Sequence, residues 1–166
     1  MSGGVRAFYD GILRAPAFLA RYPYYAAVLT RVDPVADPSV DTMALSLCGG
    51  RAYLHVNTEY FSQRPQHLFG LLLHEVHHLI LGHLFDPRFR NAASQELMDL
   101  AMELSANEYI EEPLPDGALD WRLFQRYGVR AGQSTLQRYR LLCDAPAVPK
   151  PGGATVDDHK PWSGDP

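Results

Sequence analysis

The chain has 166 residues, a formal net charge of −4, 46% hydrophobic and 20% charged residues, and two cysteines, Cys48 and Cys143. That length suits one domain with a real core. The charge argues against a nucleic-acid binder, the cysteine count excludes a disulfide framework or thiolate-rich zinc ribbon, and no stretch approaches a membrane span of about 20 apolar residues.

The opening "MSGGVRAFYDGILRAPAF" has no apolar core of signal-peptide length, so a cytoplasmic protein is expected. From residue 5 to about 31, Phe8, Ile12, Phe18, Leu19, Tyr22, Ala26 and Leu29 recur near helical spacing, and Pro16 and Pro23 should break the helix. "DPVADPS" (Asp33 to Ser39) reads as a loop. "TMALSLCGGRAYLHVN" reads as a hairpin turning at Gly49-Gly50, with Arg51 to Asn57 as the expected edge strand. "TEYFSQRPQ" reads as a connector, with Pro65 placed to start a helix over about 65–84. "FDPRFRNAA" should be a loop before a second helix from about Ser94 to Ile110. A short piece at "WRLFQRYG" and a helix at "STLQRYRLL" close a domain over 1–145, and 146–166 is a Pro- and Gly-rich tail without a core of its own. The class expected is α+β, mainly helical, with a small antiparallel hairpin or sheet beside the 65–84 helix.

That helix carries "LLLHEVHHLILGHL", in which four histidines and a glutamate interrupt an apolar run. Burying such groups costs free energy unless each finds a partner. His74-Glu75-Val76-His77-His78 is an H-E-x-x-H sequence. On an α-helix, residues four apart share a face, so His74 and His78 can grip one ion while Glu75 serves as general base. Zinc suits imidazole ligands, and a hydrolytic site needs a third protein ligand.

Three residues compete for that place. His83 lies about half a helical turn round from His74 and could approach only if Gly82 breaks the helix; otherwise it is a histidine favoured by the helix C-terminus. Glu103 shares a face with Asn107 in "MDLAMELSANEYI", a spacing similar to the E-x-x-x-D by which gluzincins supply a carboxylate ligand and orient a ligand histidine. Asp99 is the third. His77 reads as a packing or surface residue that could line a cleft edge. Tyr109, Tyr127 and His83 are the candidates for oxyanion stabilisation.

These segments together resemble the metallopeptidase domain that precedes a von Willebrand A-like domain in bacterial proteins encoded near MoxR-type AAA+ ATPases. "GGRAYLHVNTEYF" is similar to that family's glycine-centred hairpin, "HEVHHLILGH" to its HEVxHxxxxH, and "MDLAMELSANEYI" to its WNIAADxxIN helix. "LPDGALDWRLFQRYGVRAGQSTLQRYRLL" and "DDHKPW" resemble its closing segments. The resemblance implies a zincin-like peptidase domain with His74 and His78 as ligands and Glu75 as base. It also sets Glu103 where the family has Asp, and Met98-Asp99 where the family has Trp-Asn. It adds an AAA+ ATPase or von Willebrand A-like protein as a partner.

The function expected is hydrolysis of peptide bonds in a peptide or protein substrate by a zinc-activated water, with no nucleic acid and no membrane involved. An extended substrate would pair with the edge strand beside the site. The tail reads first as a disordered linker stub; the competing reading folds it back near the cleft to restrict access, or brings His159 to the metal. Two other classes compete: a zinc-stabilised interaction domain and a metal-independent helical adaptor.

Overall fold

The structure is a computed structural model that describes residues 2–148. The readings of the tail, as a linker stub, as a segment folded back on the cleft, or as the source of a His159 contact with a metal, fall on residues outside those described. The architecture is α+β: mostly helix, with one three-stranded mixed sheet.

The first segment forms α1 (Ser2–Leu13), α2 (Pro16–Arg21) and α3 (Pro23–Leu29). Each proline begins a new helix, where its missing N–H would have had no intrahelical acceptor. The sheet consists of β1 (Val32–Ala36), β2 (Met43–Cys48) and β3 (Arg51–Val56), in the order β1-β3-β2. Gly49 (φ 56°) and Gly50 (φ 77°) supply the two positive φ angles of a two-residue hairpin turn, which sets β2 antiparallel to β3 with Cys48 opposite Arg51.

Two expectations fail here for one reason. Val32–Ala36 pairs parallel with β3 instead of forming a loop, and so β3 is the central strand and not an edge. The proline-rich sequence hides β1, because proline removes a donor. An edge strand tolerates that loss, since only one of its sides is paired.

"TEYFSQ" is also helical, as α4 (Thr58–Gln63), capped by the Asn57 side chain accepting from the Tyr60 N–H. A 3-10 turn at Pro65–His67 then leads into α5 (Leu68–Ile80). The expected loop at "FDPRFRNAA" contains α6 (Pro87–Arg90), started by Asp86 and Pro87. Next come α7 (Gln95–Asn107), capped by Ser94, and α8 (Thr135–Asp144), opened by a full capping box between Ser134 and Gln137. Trp121–Tyr127 is a 3-10 segment.

Helix α5 is buried on every side from Gly70 to His78 and packs against β2, α3 and α7. Leu71, Leu72 and Val76 join Phe18, Leu29, Leu45 and Leu54 in the main core, all at 0% exposure. Gly70 is required by a close approach, because a Cβ there would overlap the Pro113 carbonyl oxygen. A smaller core forms where Leu104 of α7 meets Leu142 of α8, Val129 and Phe124. No described helix is long and apolar enough to cross a membrane.

Candidate metal centre

Helices α5 and α7 lie against each other, and each presents two polar residues one turn apart. From α5 come His74 and His78, whose Nε2 atoms approach to 2.9 Å. From α7 comes Glu103, with Oε1 3.5 Å from His74 Nε2 and 3.5 Å from His78 Nε2. One ligand atom from each of the three lies within 4.8 Å of the others, and all three residues are wholly buried. Two imidazole nitrogens and a carboxylate oxygen converging on one point can hold a metal ion.

The outward nitrogens of both histidines are engaged as well. His74 Nδ1 lies 2.8 Å from Asn107 Oδ1, and the Asn107 amide donates in turn to the Leu119 carbonyl at 3.1 Å. Glu103 and Asn107 thus share one face of α7: the acid faces the histidine pair, and the amide one turn on meets His74 Nδ1. His78 Nδ1 lies 2.7 Å from His83 Nδ1, and His83 Nε2 is 2.9 Å from Thr135 Oγ1.

His83 reaches this place because Gly82 (φ 77°) ends the helix. The Gly82 N–H donates to the Leu79 carbonyl at 3.1 Å and the His83 N–H to the His78 carbonyl at 3.0 Å. This is a Schellman turn, which folds the chain back over the last turn of α5. The break that could have brought His83 to the ion instead brings it behind His78. His83 does stand just past the helix C-terminus, and its ring is wholly buried, with its edge against Phe89.

Asp99 is not part of the group; its Oδ1 accepts from the Gln95 side chain at 2.9 Å. His77 faces elsewhere, with Nδ1–H donating to the Ala106 carbonyl at 2.5 Å and Nε2 accepting from the Tyr25 hydroxyl at 2.8 Å. Burial pushes the His77 pKa below the ordinary imidazole range and the Tyr25 pKa up, so both stay neutral and this bonding pattern is self-consistent. His77 is therefore a packing residue, 5% exposed, and does not line a cleft edge. Tyr109 is 68% exposed, with its pKa raised chiefly by the neighbouring Glu108 carboxylate, and Tyr127 packs on Phe124. Glu75, beside His74 on α5, is fully shielded from solvent.

Among the described residues, two cavities are lined in part by residues that contact the histidines of the group from behind, and neither lining includes His74, His78 or Glu103. One, of about 180 Å³, is lined by Asn107, Leu119 and Trp121. The other, of about 470 Å³, is lined by Ser105, Tyr109 and Thr135. Thr135 is the site residue the sequence did not reveal. Its segment is recognisable as a helix start, but no spacing rule connects it to a histidine 52 positions away.

No family model and no solved structure matches the chain. A protein of Thermotoga maritima described as uncharacterized is similar to it, 33% identical over 92 residues. Those residues are 54% of this chain and 23% of that protein, so the chain matches only about a quarter of the relative's length.

Proposed function

We propose that the protein is a zinc-dependent peptidase with a zincin-like fold. The observation that carries this reading is the convergence of His74, His78 and Glu103 from two helices, with Glu75 next to the first ligand in the sequence. His74 and His78 would hold the ion through Nε2 and Glu103 through a carboxylate oxygen. The donor set fits zinc: two borderline nitrogens and one oxygen match the three-ligand sets of catalytic zinc sites. The Asn107 and His83 contacts favour it further by holding the rings with Nε2 inward.

When bound, zinc supplies Lewis acidity, polarising a substrate carbonyl and making water acidic enough to lose a proton near neutral pH. Glu75 would be the base that takes a proton from the attacking water at a carboxylate oxygen, and the acid that would return it to the amide nitrogen when the C–N bond breaks. Asn107 would keep His74 oriented throughout, and the complete burial of the group lowers the local dielectric and strengthens its charge interactions.

A second reading rests on the completeness of the burial. Glu75 and all three ligands are at 0% exposure, as in a metal site that stabilises a fold without turning over substrate. In that reading the protein is a zinc-stabilised interaction domain, with an AAA+ ATPase or a von Willebrand A-like protein as its partner.

Elemental analysis of purified protein, followed by peptide-library cleavage mapped by mass spectrometry, separates the readings. The peptidase reading expects stoichiometric zinc, and cleavage that Glu75→Gln abolishes while zinc stays. Zinc without cleavage supports the interaction domain, and protein that takes up no metal rejects both.

A further inference from the structure

The chain of contacts behind His78 runs through three separate parts of the molecule. His78 belongs to α5, His83 to the turn after it, and Thr135 to the first turn of α8. All three are buried, and the successive distances are 2.7 Å and 2.9 Å. We infer that His83 and Thr135 are positioning residues for the metal, acting together to hold His78 in the one tautomer that offers Nε2 to a cation.

The argument is a matter of counting protons along a line. A histidine that donates its Nε2 lone pair to an ion carries its own proton on Nδ1. His78 Nδ1–H must then donate, and the atom facing it is His83 Nδ1, which can accept only if it carries no proton. The His83 proton is thereby placed on Nε2, which faces the Thr135 hydroxyl, a group able to accept. Reversing any link reverses them all. If Thr135 donates to His83 Nε2, the proton moves to His83 Nδ1, and His78 is left with its proton on Nε2, aimed at the ion position. The Thr135 hydroxyl fits either direction, so a cation at His78 Nε2 selects the one in which Thr135 accepts, and the line of contacts then ends on a satisfied donor.

The structure holds this acceptor firmly. Arg138, one turn further along α8, is fully buried and donates to Ser105 Oγ at 3.0 Å and to the Arg130 carbonyl at 3.0 Å, and it pairs with Glu108. Two of those partners, Ser105 and Glu108, sit on or just beyond α7, the helix that carries Glu103. The guanidinium thus ties α8 to the ligand-bearing helix within one turn of Thr135. At the other end, the Schellman turn and the edge contact with Phe89 fix the His83 ring. These residues complete the arrangement in which His74 relies on Asn107: each ligand histidine has its own orienting group, one from α7 and one relayed from α8.

This inference rests on the metal reading of the His74, His78 and Glu103 group, and the test separates the two. Zinc affinity of the full chain is measured by competition with a chromogenic chelator, and the ligand field is read from the visible spectrum of the cobalt-substituted protein. Thr135→Val keeps the shape and removes the acceptor, Thr135→Ser restores it, and His83→Phe removes the link. Loss of an orienting partner typically weakens metal binding about 10–100-fold. Thr135→Val and His83→Phe are expected to fall in that range with altered cobalt spectra, and Thr135→Ser to bind within about twofold of wild type. Circular dichroism of each metal-free variant controls for folding, and should His83→Phe fail to fold, the Val and Ser pair decides alone. A wild-type affinity for Thr135→Val, or equal losses for Val and Ser, overturns the inference while leaving the metal site standing. A wild type that binds no metal overturns both.

Discussion

Two histidine networks in this molecule use the same side-chain chemistry to opposite geometric ends. On the sheet, His55 Nδ1 lies 3.0 Å from Asp37 Oδ2 and its Nε2 lies 2.9 Å from Ser46 Oγ. Between α5 and α7, His74 and His78 turn one nitrogen each to an orienting partner and the other toward Glu103. In the first network the contacts run in a line from Asp37 through His55 to Ser46. In the second they converge, so that two imidazole nitrogens and a carboxylate oxygen meet at one point. The sheet network is also half-exposed, with side-chain exposures of 21% for His55 and 24% for Asp37, against 0% for His74 and Glu103. A serine, a histidine and an aspartate in hydrogen-bonding order are thus no evidence of chemistry by themselves. Here they pin the turn after β1 to the hairpin, while convergence and burial set apart the group that could hold a metal ion.

The largest effect should follow from His78→Ala. It removes one of three donors, so stoichiometric zinc and all turnover should be lost. Metal at about a hundredfold over its Kd stabilises a fold by about 2.7 kcal/mol, and calorimetry with and without zinc should show that increment in wild type and not in the variant. An equal increment in both would break the distinction between the networks. Glu75→Gln should lower cleavage by about 10²–10⁴-fold, the range of general-base catalysis, with zinc content unchanged in elemental analysis.

Gly70→Ala tests whether the closed packing of α5 matters to its ligands. The added methyl overlaps the Pro113 carbonyl, and overpacking of this kind costs about 1–3 kcal/mol; denaturant unfolding should show it, together with weakened zinc binding. The sheet network should give the smallest response. His55→Ala should cost about 0.5–1.5 kcal/mol, the worth of an ordinary hydrogen bond, and leave zinc affinity at the wild-type value.

Acid sharpens the same contrast. The Ser39 hydroxyl is the main cause holding the Asp37 carboxyl below its ordinary pKa, helped by the Ser39 N–H and His55. A carboxyl depressed in the fold contributes stability above its unfolded pKa and loses it as pH falls through the folded value. Asp37→Asn should therefore flatten the acid limb of the stability curve below about pH 4, and an unchanged limb would show the turn is held by other contacts.

Legibility from the sequence varied with the range of the interaction. Helix breaks at Pro16 and Pro23, the Gly49-Gly50 turn and the start of a helix at Ser94 are set by neighbours a few residues apart, and each was readable. So was the pairing of Glu103 with Asn107, because helical periodicity puts them on one face. Strand β1 was not, since two prolines outweigh local propensity and only pairing with β3 makes it a strand. For the same reason the order of the sheet was misjudged, and β3 was expected at an edge.

What the residues determined alone is the local chemistry: one helical turn places two imidazoles on a common face, and a second helix offers a carboxylate and an amide at matching spacing. Tertiary structure decided which of three candidate groups completes the site and what stands behind each ligand. Asp99 turns to Gln95, Glu103 faces the histidines, and the reversal at Gly82 hands His83 to His78 and to Thr135. Periodicity carries information only along one element, whereas these outcomes depend on how α5, α7 and α8 pack against one another.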